Sequence, residues 1–455
     1  MNPLAPVTRI RATPNSPIVP LSASDCAGNG LNRIGPRGNP AAAVCSVSWT
    51  GLRVLLTPTI PIAAAPPQAL ERRPRLLFLV TEDWYFWSHR LPVARAARDA
   101  GFEVVVAARV RDHGEQIRAE GFRLCPLAWR RRGDGIVGAG RALREIAALY
   151  RRERPDIVHL VALKPVLFGG IAARLAFARG AGRPAQIAAV TGLGSGLMPA
   201  ARFSRLARPA LGWAMRHAVG DSRVIVQNPE DGAALARFGI ARPRIVLIRG
   251  SGVDTDYFAA LPEPQGGTVK VALVARMLRS KGVPDAVAAV RRLRAQGMAI
   301  ELVLAGPTDP DNRDSLSEAE LAALTADPGV EWLGRVEDMR AVWHRAAIAV
   351  MPSTYGEGVP KALLEAAACG RAIVTTDMPG CREAVKAGES GLLVPPHNID
   401  ALAEALAALA RDPKRRQAMG RAGRTLVERE FGEAGVASQT IALYRAALSE
   451  RRAAS

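Results

Sequence analysis

From residue 74 onward the chain alternates two hydrophobic patterns. Short continuous apolar runs, the first at 76–80 (LLFLV), read as strands buried on both faces. Longer stretches with helical apolar spacing separate them. After the first run, TEDWYFWSHRLP reads as a loop, with a helix beyond it to Ala100. FEVVVAA (102–108), PDIVHLVA, AQIAAVTG, SRVIVQN and PRIVLIRG read as further strands. GIVGAGRALREIAALYRRE and segments up to Val219 read as helices. The pattern pauses at GSGVDTDYF (250–258) and restarts with VKVALVARM (269–277), a helix over 284–296, and the strands AIELVLAG, GVEWLG, AIAVMPS and RAIVTT. Such alternation predicts doubly wound parallel sheets. The pause divides them into two Rossmann-like α/β domains, 74–255 and 268–432. A last amphipathic stretch, about 433–450, carries Ile441, Tyr444 and Leu448 on one stripe. The tail 433–455 is expected to cross back to the first domain.

Residues 1–70 show neither period and are rich in Pro, Ala, Asn and Ser. They read as disordered, or as an upstream extension misassigned to the gene, and are excluded from the predicted fold. The remaining length suffices for two ordinary domains.

Charge and cysteine content narrow the function classes. The net charge is +19, and the cations are almost all Arg. This is either a bias of composition or a basic surface for anionic lipid or a phosphorylated substrate. No nucleic-acid-binding module is visible. The five Cys are odd in number and form no C-x-x-C pair. That argues against a disulfide framework or a zinc site and suits a reducing compartment. No apolar stretch reaches the roughly eighteen uninterrupted residues of a membrane span.

Neither domain's first strand is followed by G-x-G-x-x-G, and GLGSGL (192–197) has the wrong spacing, so a nicotinamide or flavin enzyme is disfavoured. The P-loop and G-x-S-x-G patterns are also missing. Two stretches of the second domain carry chemistry. In ARMLRSKGV, Arg276 and Lys281 flank a strand-to-helix loop, where two cations beside a helix start suit a diphosphate. Alone, they read equally as solvated surface charges. In YGEGVPKALLEA (355–366), Gly356 and Gly358 let the backbone approach a ligand, and Pro360 suits a first helical turn. Glu365 lies among Leu363, Leu364 and Ala366, where a carboxylate needs hydrogen-bond partners such as a vicinal diol. Glu357, on the loop, would meet a different hydroxyl. A capped helix with an ordinary glycine turn is the alternative.

STYGEGVPKALLEAAACGRAIVTT closely resembles the E-x7-E signature of the retaining, family 4 glycosyltransferases of GT-B fold. DMPGCREAVKAGESGLLVPP, ARMLRSKGV, GSGVDTDYF and VIVQNPED are similar to that family as well. TEDWYFWSHRLPVARAARDAGFEVVVA resembles the subgroup that builds capsules and lipid-linked bacterial glycans. The resemblance runs from about 75 to 450. It implies two Rossmann-like domains facing each other across a cleft, with a nucleotide-sugar donor on the second and a glycan or polyprenyl-diphosphate acceptor on the first. The donor is expected to be UDP-linked.

Residue roles follow from the resemblance. Arg276 and Lys281 would neutralise the diphosphate, and Glu365 would bind the ribose hydroxyls. Glu357, with Gly356 and the backbone of Gly358, Val359 and Pro360, would meet the sugar. Val336 in LGRVEDM would contact the base through its backbone. On the acceptor side, His89 is a candidate. So are His159 and Lys164 in VHLVALKP, part of a His-x-His-x-x-Lys-Pro pattern with Val161 at the second histidine. His159 reads equally as a strand-end histidine. AVTG places Thr191 where many relatives carry a histidine.

Trp84, Tyr85, Phe86 and Trp87, with WRRRG at 129–133, suit a membrane interface or, for the aromatics, core packing. The expected location is cytoplasmic, peripheral at the inner face of the cytoplasmic membrane. The D-x-D strings at 254–256 and 309–311 read as turns. Cations replace a metal in this fold, so neither metal nor cofactor is expected. Two rivals stand beside a transferase: a GT-B-fold sugar-nucleotide epimerase, and a non-catalytic nucleotide-sugar-binding protein.

Overall fold

The computed structural model describes residues 72–129, 135–177, 182–192 and 204–453. The expectations for 1–70 and for Arg130, Arg131 and Arg132 lie outside the described residues. The first sheet comprises β1 (Arg75–Glu82), β2 (Glu103–Arg109), β3 (Arg123–Pro126), β4 (Ile157–Val161), β5 (Ala185–Val190), β6 (Arg223–Val226) and β7 (Ile245–Leu247). Their order is β3-β2-β1-β4-β5-β6-β7. The second sheet comprises β8 (Val269–Val274), β9 (Ile300–Ala305), β10 (Val330–Trp332), β11 (Ile348–Met351), β12 (Ala372–Thr376) and β13 (Gly391–Val394), in the order β10-β9-β8-β11-β12-β13. Every pairing is parallel. In each sheet the strand order reverses once, between β1 and β4 and between β8 and β11. Loops at the carboxyl ends of strands diverge at such a point and leave a crevice.

The central strands are mostly apolar because helices cover both faces. Along β1, Leu76, Phe78 and Val80 enter one core cluster while Leu77 and Leu79 enter another, the two-residue period of a strand. The helix Glu433–Ala453 buries Val436, Ala437, Ile441, Tyr444 and Ala447 in the cluster of Leu76 and Phe78. The chain's last helix therefore packs on the first sheet, and both sheets lie in one compact unit.

TEDWYFWSHRLP is not a loop. It forms the end of β1, a helix Asp83–His89, and the start of a second helix, Leu91–Asp99. The Asp83 carboxylate accepts from the N–H groups of Trp84, Arg111 and His113 at 2.8, 2.8 and 2.9 Å, which pins the first helix to the loop after β2. Pro92 in the first turn of the second helix favours a fresh helix start after Arg90. Four consecutive aromatics carry no helical period, so sequence pattern could not reveal this element. Phe86 is core, Trp84 and Tyr85 turn into the cleft, and Trp87 lies 5.7 Å from the His113 ring. These aromatics do not form an outward membrane patch.

Candidate active site

The second domain supplies most of the site. After β8 the chain passes Arg276, makes a 3-10 turn at Arg279–Lys281, and enters the helix Val283–Ala295 at Gly282. Gly282 has φ +73°, and a Cβ there would lie 2.1 Å from the Pro352 carbonyl oxygen. Only glycine permits this tight crossing, which buries Lys281 beside the loop that follows β11. That loop carries Glu357, and the carboxylate pairs with the Lys281 ammonium. Ser353, fully buried, donates to the other Glu357 oxygen at 3.1 Å. Burial works to lower the Lys281 pKa, but the Glu357 carboxylate and Tyr355 outweigh it, so the lysine stays a firm cation.

Arg276 pairs with Asp309, and its guanidinium lies 5.6 Å from the Trp84 ring of the first domain. The string at 309–311 is therefore more than a turn. Asp309 is the counter-charge of Arg276, while Asp311 pairs with Arg111 and, at 3.6 Å, with Arg109. In the other string, the Asp254 carboxylate accepts from the N–H groups of Asp256 and Tyr257 at 3.0 and 2.9 Å, an ordinary turn. Among the described residues no cluster of three or more His, Cys, Asp or Glu could hold a metal.

Glu365 sits in the helix Lys361–Ala368, 9% exposed. Burial pushes its carboxyl up to about 7, opposed by the Lys361 cation. A carboxylate so placed gains most from a ligand that donates two hydrogen bonds.

One cavity of about 460 Å³ collects these groups between the two domains. Arg276, Lys281, Glu357 and Glu365 line it, as do Gly356, Gly358, Val359 and Pro360. His89 and Thr191 line it from the first domain. The half-buried His89 ring stacks on Tyr85 at 4.3 Å, and its Nδ1 lies 2.6 Å from the Ser88 hydroxyl. Burial, then the cations Lys361, Arg90, Arg276 and Lys281, hold its pKa well below the usual histidine value. The ring is neutral at pH 7, a hydrogen-bonding group rather than a charge.

Three predicted residues are not brought there. His159 is fully buried in β4, stacked on Phe78 and hydrogen-bonded through Nδ1 to the Tyr444 hydroxyl, on the sheet face covered by the last helix. It cannot meet an acceptor from that face. Lys164 lies over the Trp129 and Phe168 rings at 5.3 and 5.8 Å, away from the cavity wall. Val336 packs half-buried against the second domain's core, outside the lining, where Met339 stands instead.

Sequence reasoning missed Lys361, Ser353 and the contacts from the first domain. Lys361 lines the cavity and donates to the Ser88 carbonyl at 2.8 Å across the cleft. Its signal was visible, since a cation in a first helical turn opposes the helix dipole.

The comparisons with known proteins agree on class. Residues 268–412 match the family model described as "Glycosyl transferases group 1", and 75–228 match "Glycosyl transferase 4-like". The chain is 31% identical over 317 residues to a glycogen synthase of Mycobacterium tuberculosis, covering 69% of this chain and 74% of that one. It is 32% identical over 255 residues to an alpha-maltose-1-phosphate synthase of Mycolicibacterium smegmatis, covering 51% of this chain and 65% of that one. To the capsular polysaccharide biosynthesis glycosyltransferase CapM of Staphylococcus aureus it is 26% identical over 180 residues, covering 40% of this chain and 47% of the relative. The chain thus spans from about half to three quarters of these relatives' own lengths. Among solved structures, HepE of Anabaena in complex with UDP and glucose superposes with a TM-score of 0.66 at 17% identity, over 80% of this chain and 98% of that one. With both halves matched and two parallel-sheet domains meeting at one cleft, the chain belongs to the family 4 glycosyltransferases of GT-B fold.

Proposed function

We propose that this enzyme transfers a sugar from a UDP-linked donor to a glycan or polyprenyl-diphosphate-linked acceptor in cell-surface polysaccharide assembly, with retention of anomeric configuration. The observation that carries the reading is the gathering of two cations and two carboxylates, Arg276, Lys281, Glu357 and Glu365, in one interdomain cavity. A nucleotide diphosphate sugar offers each a partner. The diphosphate takes the cations, the ribose diol takes Glu365, and a sugar hydroxyl takes Glu357. The UDP complex of a fold relative and the capsule role in the name of a sequence relative support the choice of donor and pathway class.

In this mechanism the bond from the anomeric carbon to the diphosphate oxygen breaks, and the acceptor oxygen bonds to that carbon. The acceptor hydroxyl's proton passes to the leaving diphosphate on the same face. Arg276 and Lys281 stabilise the charge that develops there, preorganised by the fold. Glu357 has both oxygens engaged, by Lys281 and Ser353, which suits a holding role better than attack on the sugar. Neutral His89 faces the cavity from the acceptor side. The test is a panel of UDP- and GDP-sugars incubated with a lipid extract of the source, with NMR of the product. A single UDP-sugar should be consumed and its anomeric configuration kept. An inverted product, or consumption without an acceptor, contradicts the reading.

The transfer is expected to run without metal. A strong chelator should leave the rate unchanged, because Arg276 and Lys281 supply the positive charge. Loss of rate in chelator, restored by manganese, would count against it.

Peripheral contact with an anionic membrane at the inner face of the cytoplasmic membrane completes the proposal. The first domain's helix Gly135–Glu153 presents exposed Ile136, Arg141 and Arg144, and the sequence shortly before it carries Arg130, Arg131 and Arg132. Changing Arg130, Arg131 and Arg132 together to Ala should weaken salt-sensitive binding to anionic liposomes. Equal binding of the parent to neutral and anionic vesicles would rule out this mode.

A further inference from the structure

Glu357 is held by more than its side-chain partners, and part of the grip comes from the other domain. Asn228 follows β6 of the first sheet and is fully buried. Its Oδ1 accepts from the Asp231 N–H at 2.7 Å and caps the helix Pro229–Arg237. Its Nδ2 donates to the Asp231 carboxylate at 2.9 Å and to the Glu357 backbone carbonyl at 3.1 Å. The next N–H, of Gly358, donates to the Thr191 carbonyl at 3.2 Å. A Cβ on Gly358 would lie 2.0 Å from Gln227 Oε1 and 2.8 Å from that Thr191 oxygen, so the two domains touch here backbone to backbone. Glu357's own N–H stays within its domain, donating to the Pro379 carbonyl at 3.1 Å. An Arg382–Glu230 ion pair closes the same edge.

We propose that Asn228 is a positioning residue for the transfer. From the first domain it fixes the peptide that carries Glu357, so the sugar-facing carboxylate takes its working position only when the two domains are together. The inference rests on the assignment of Glu357 to the donor sugar. It gives Thr191 a role through its main-chain oxygen, which any residue at that position could supply. UDP alone should not sense the device, because Arg276, Lys281 and Glu365 all belong to the second domain.

The test compares Asn228→Ser and Asn228→Asp with the parent. Both variants keep an oxygen to cap the helix, and both lose the N–H aimed at Glu357. The expected result is a loss of about tenfold in kcat, the scale of one buried hydrogen bond, with unchanged UDP affinity by calorimetry and an intact fold by circular dichroism. Asn228→Asp sets an anionic oxygen against the carbonyl and against the Asp231 carboxylate, so it should lose more rate than Asn228→Ser and also melt lower, and the stability comparison is read on Asn228→Ser. A capping role alone would lower the melting temperature and move kcat and UDP affinity together or not at all, and either pattern overturns the inference. Glu357→Gln is run alongside. If it lowers kcat while both Asn228 variants keep the parent rate, the positioning role is wrong and the sugar assignment stands. If Glu357→Gln keeps the parent rate, the sugar assignment fails and takes the positioning role with it.

Discussion

Glu357→Gln is expected to lower kcat about a hundredfold while UDP affinity stays level or rises, since a preorganised charged contact to a reacting group is worth that much. UDP carries no sugar, so the lost contact is one that UDP never makes. The ion pair adds a second consequence. Lys281 is buried, and Glu357 is its only carboxylate partner among the described residues. Removing that charge strands an ammonium, which costs about 3 kcal/mol in partly dry surroundings. The diphosphate of UDP would restore a counter-charge. The free variant should therefore melt lower than the parent, and UDP should raise its melting temperature by more than it raises the parent's. Melts with and without UDP, beside turnover with the full donor, check both parts. A smaller UDP-induced shift in the variant would mean that Lys281 does not face the diphosphate.

Glu365→Gln is expected to weaken donor binding about tenfold at pH 8 and to remove its pH dependence, the scale of exchanging a charge-assisted for a neutral hydrogen bond. In the free enzyme burial holds the Glu365 carboxyl at about 7. On the proposed reading a ribose diol would donate to the ionised form and so lower that value in the complex. Binding of the UDP-sugar should then tighten as pH rises through 7, releasing a proton, and slacken below pH 6. The sign for stability is opposite. The folded pKa stands above the ordinary value of 4.5, so this group's stabilising contribution is present below 4.5 and lost as pH rises through 7. Above pH 7 the free Gln variant should melt higher than the parent, by up to about 3 kcal/mol of stability, and the difference should shrink as pH falls and vanish below about pH 4. A parent enzyme whose donor affinity is flat from pH 6 to 8 would remove Glu365 from the ribose.

The strands were legible because a sheet covered on both faces leaves an apolar run that no polar segment mimics. Where that condition weakens, pattern reading failed. β3 and β13 are short and border polar residues, and the helix Asp83–His89 is a block of aromatics without a period. The E-x7-E stretch was legible as a loop running into a helix, and the structure puts both glutamates in one cavity. What lay beyond local reading was every pairing set by the fold. Lys281 and Glu357 are 76 positions apart, and Asn228 and Glu357 are 129 apart. His159 failed for a related reason. A strand turns alternate residues to opposite faces, and only the position of the last helix decides which face stays open. Asp309 and Asp311 read as turn residues because their arginine partners arrive from other strands' loops.

The two glutamates divide their labour on the proposed reading, and calorimetry on one ligand pair tests this most directly. UDP and an unreactive analogue of the UDP-sugar donor would be titrated into the parent, Glu357→Gln and Glu365→Gln at pH 8. The sugar should strengthen binding to the parent and to Glu365→Gln by the same factor, and Glu357→Gln should lose that increment while binding UDP at least as well as the parent. If both variants lose UDP affinity alike and keep the sugar increment, the two carboxylates do not divide ribose from sugar, and the reading of this cleft is wrong.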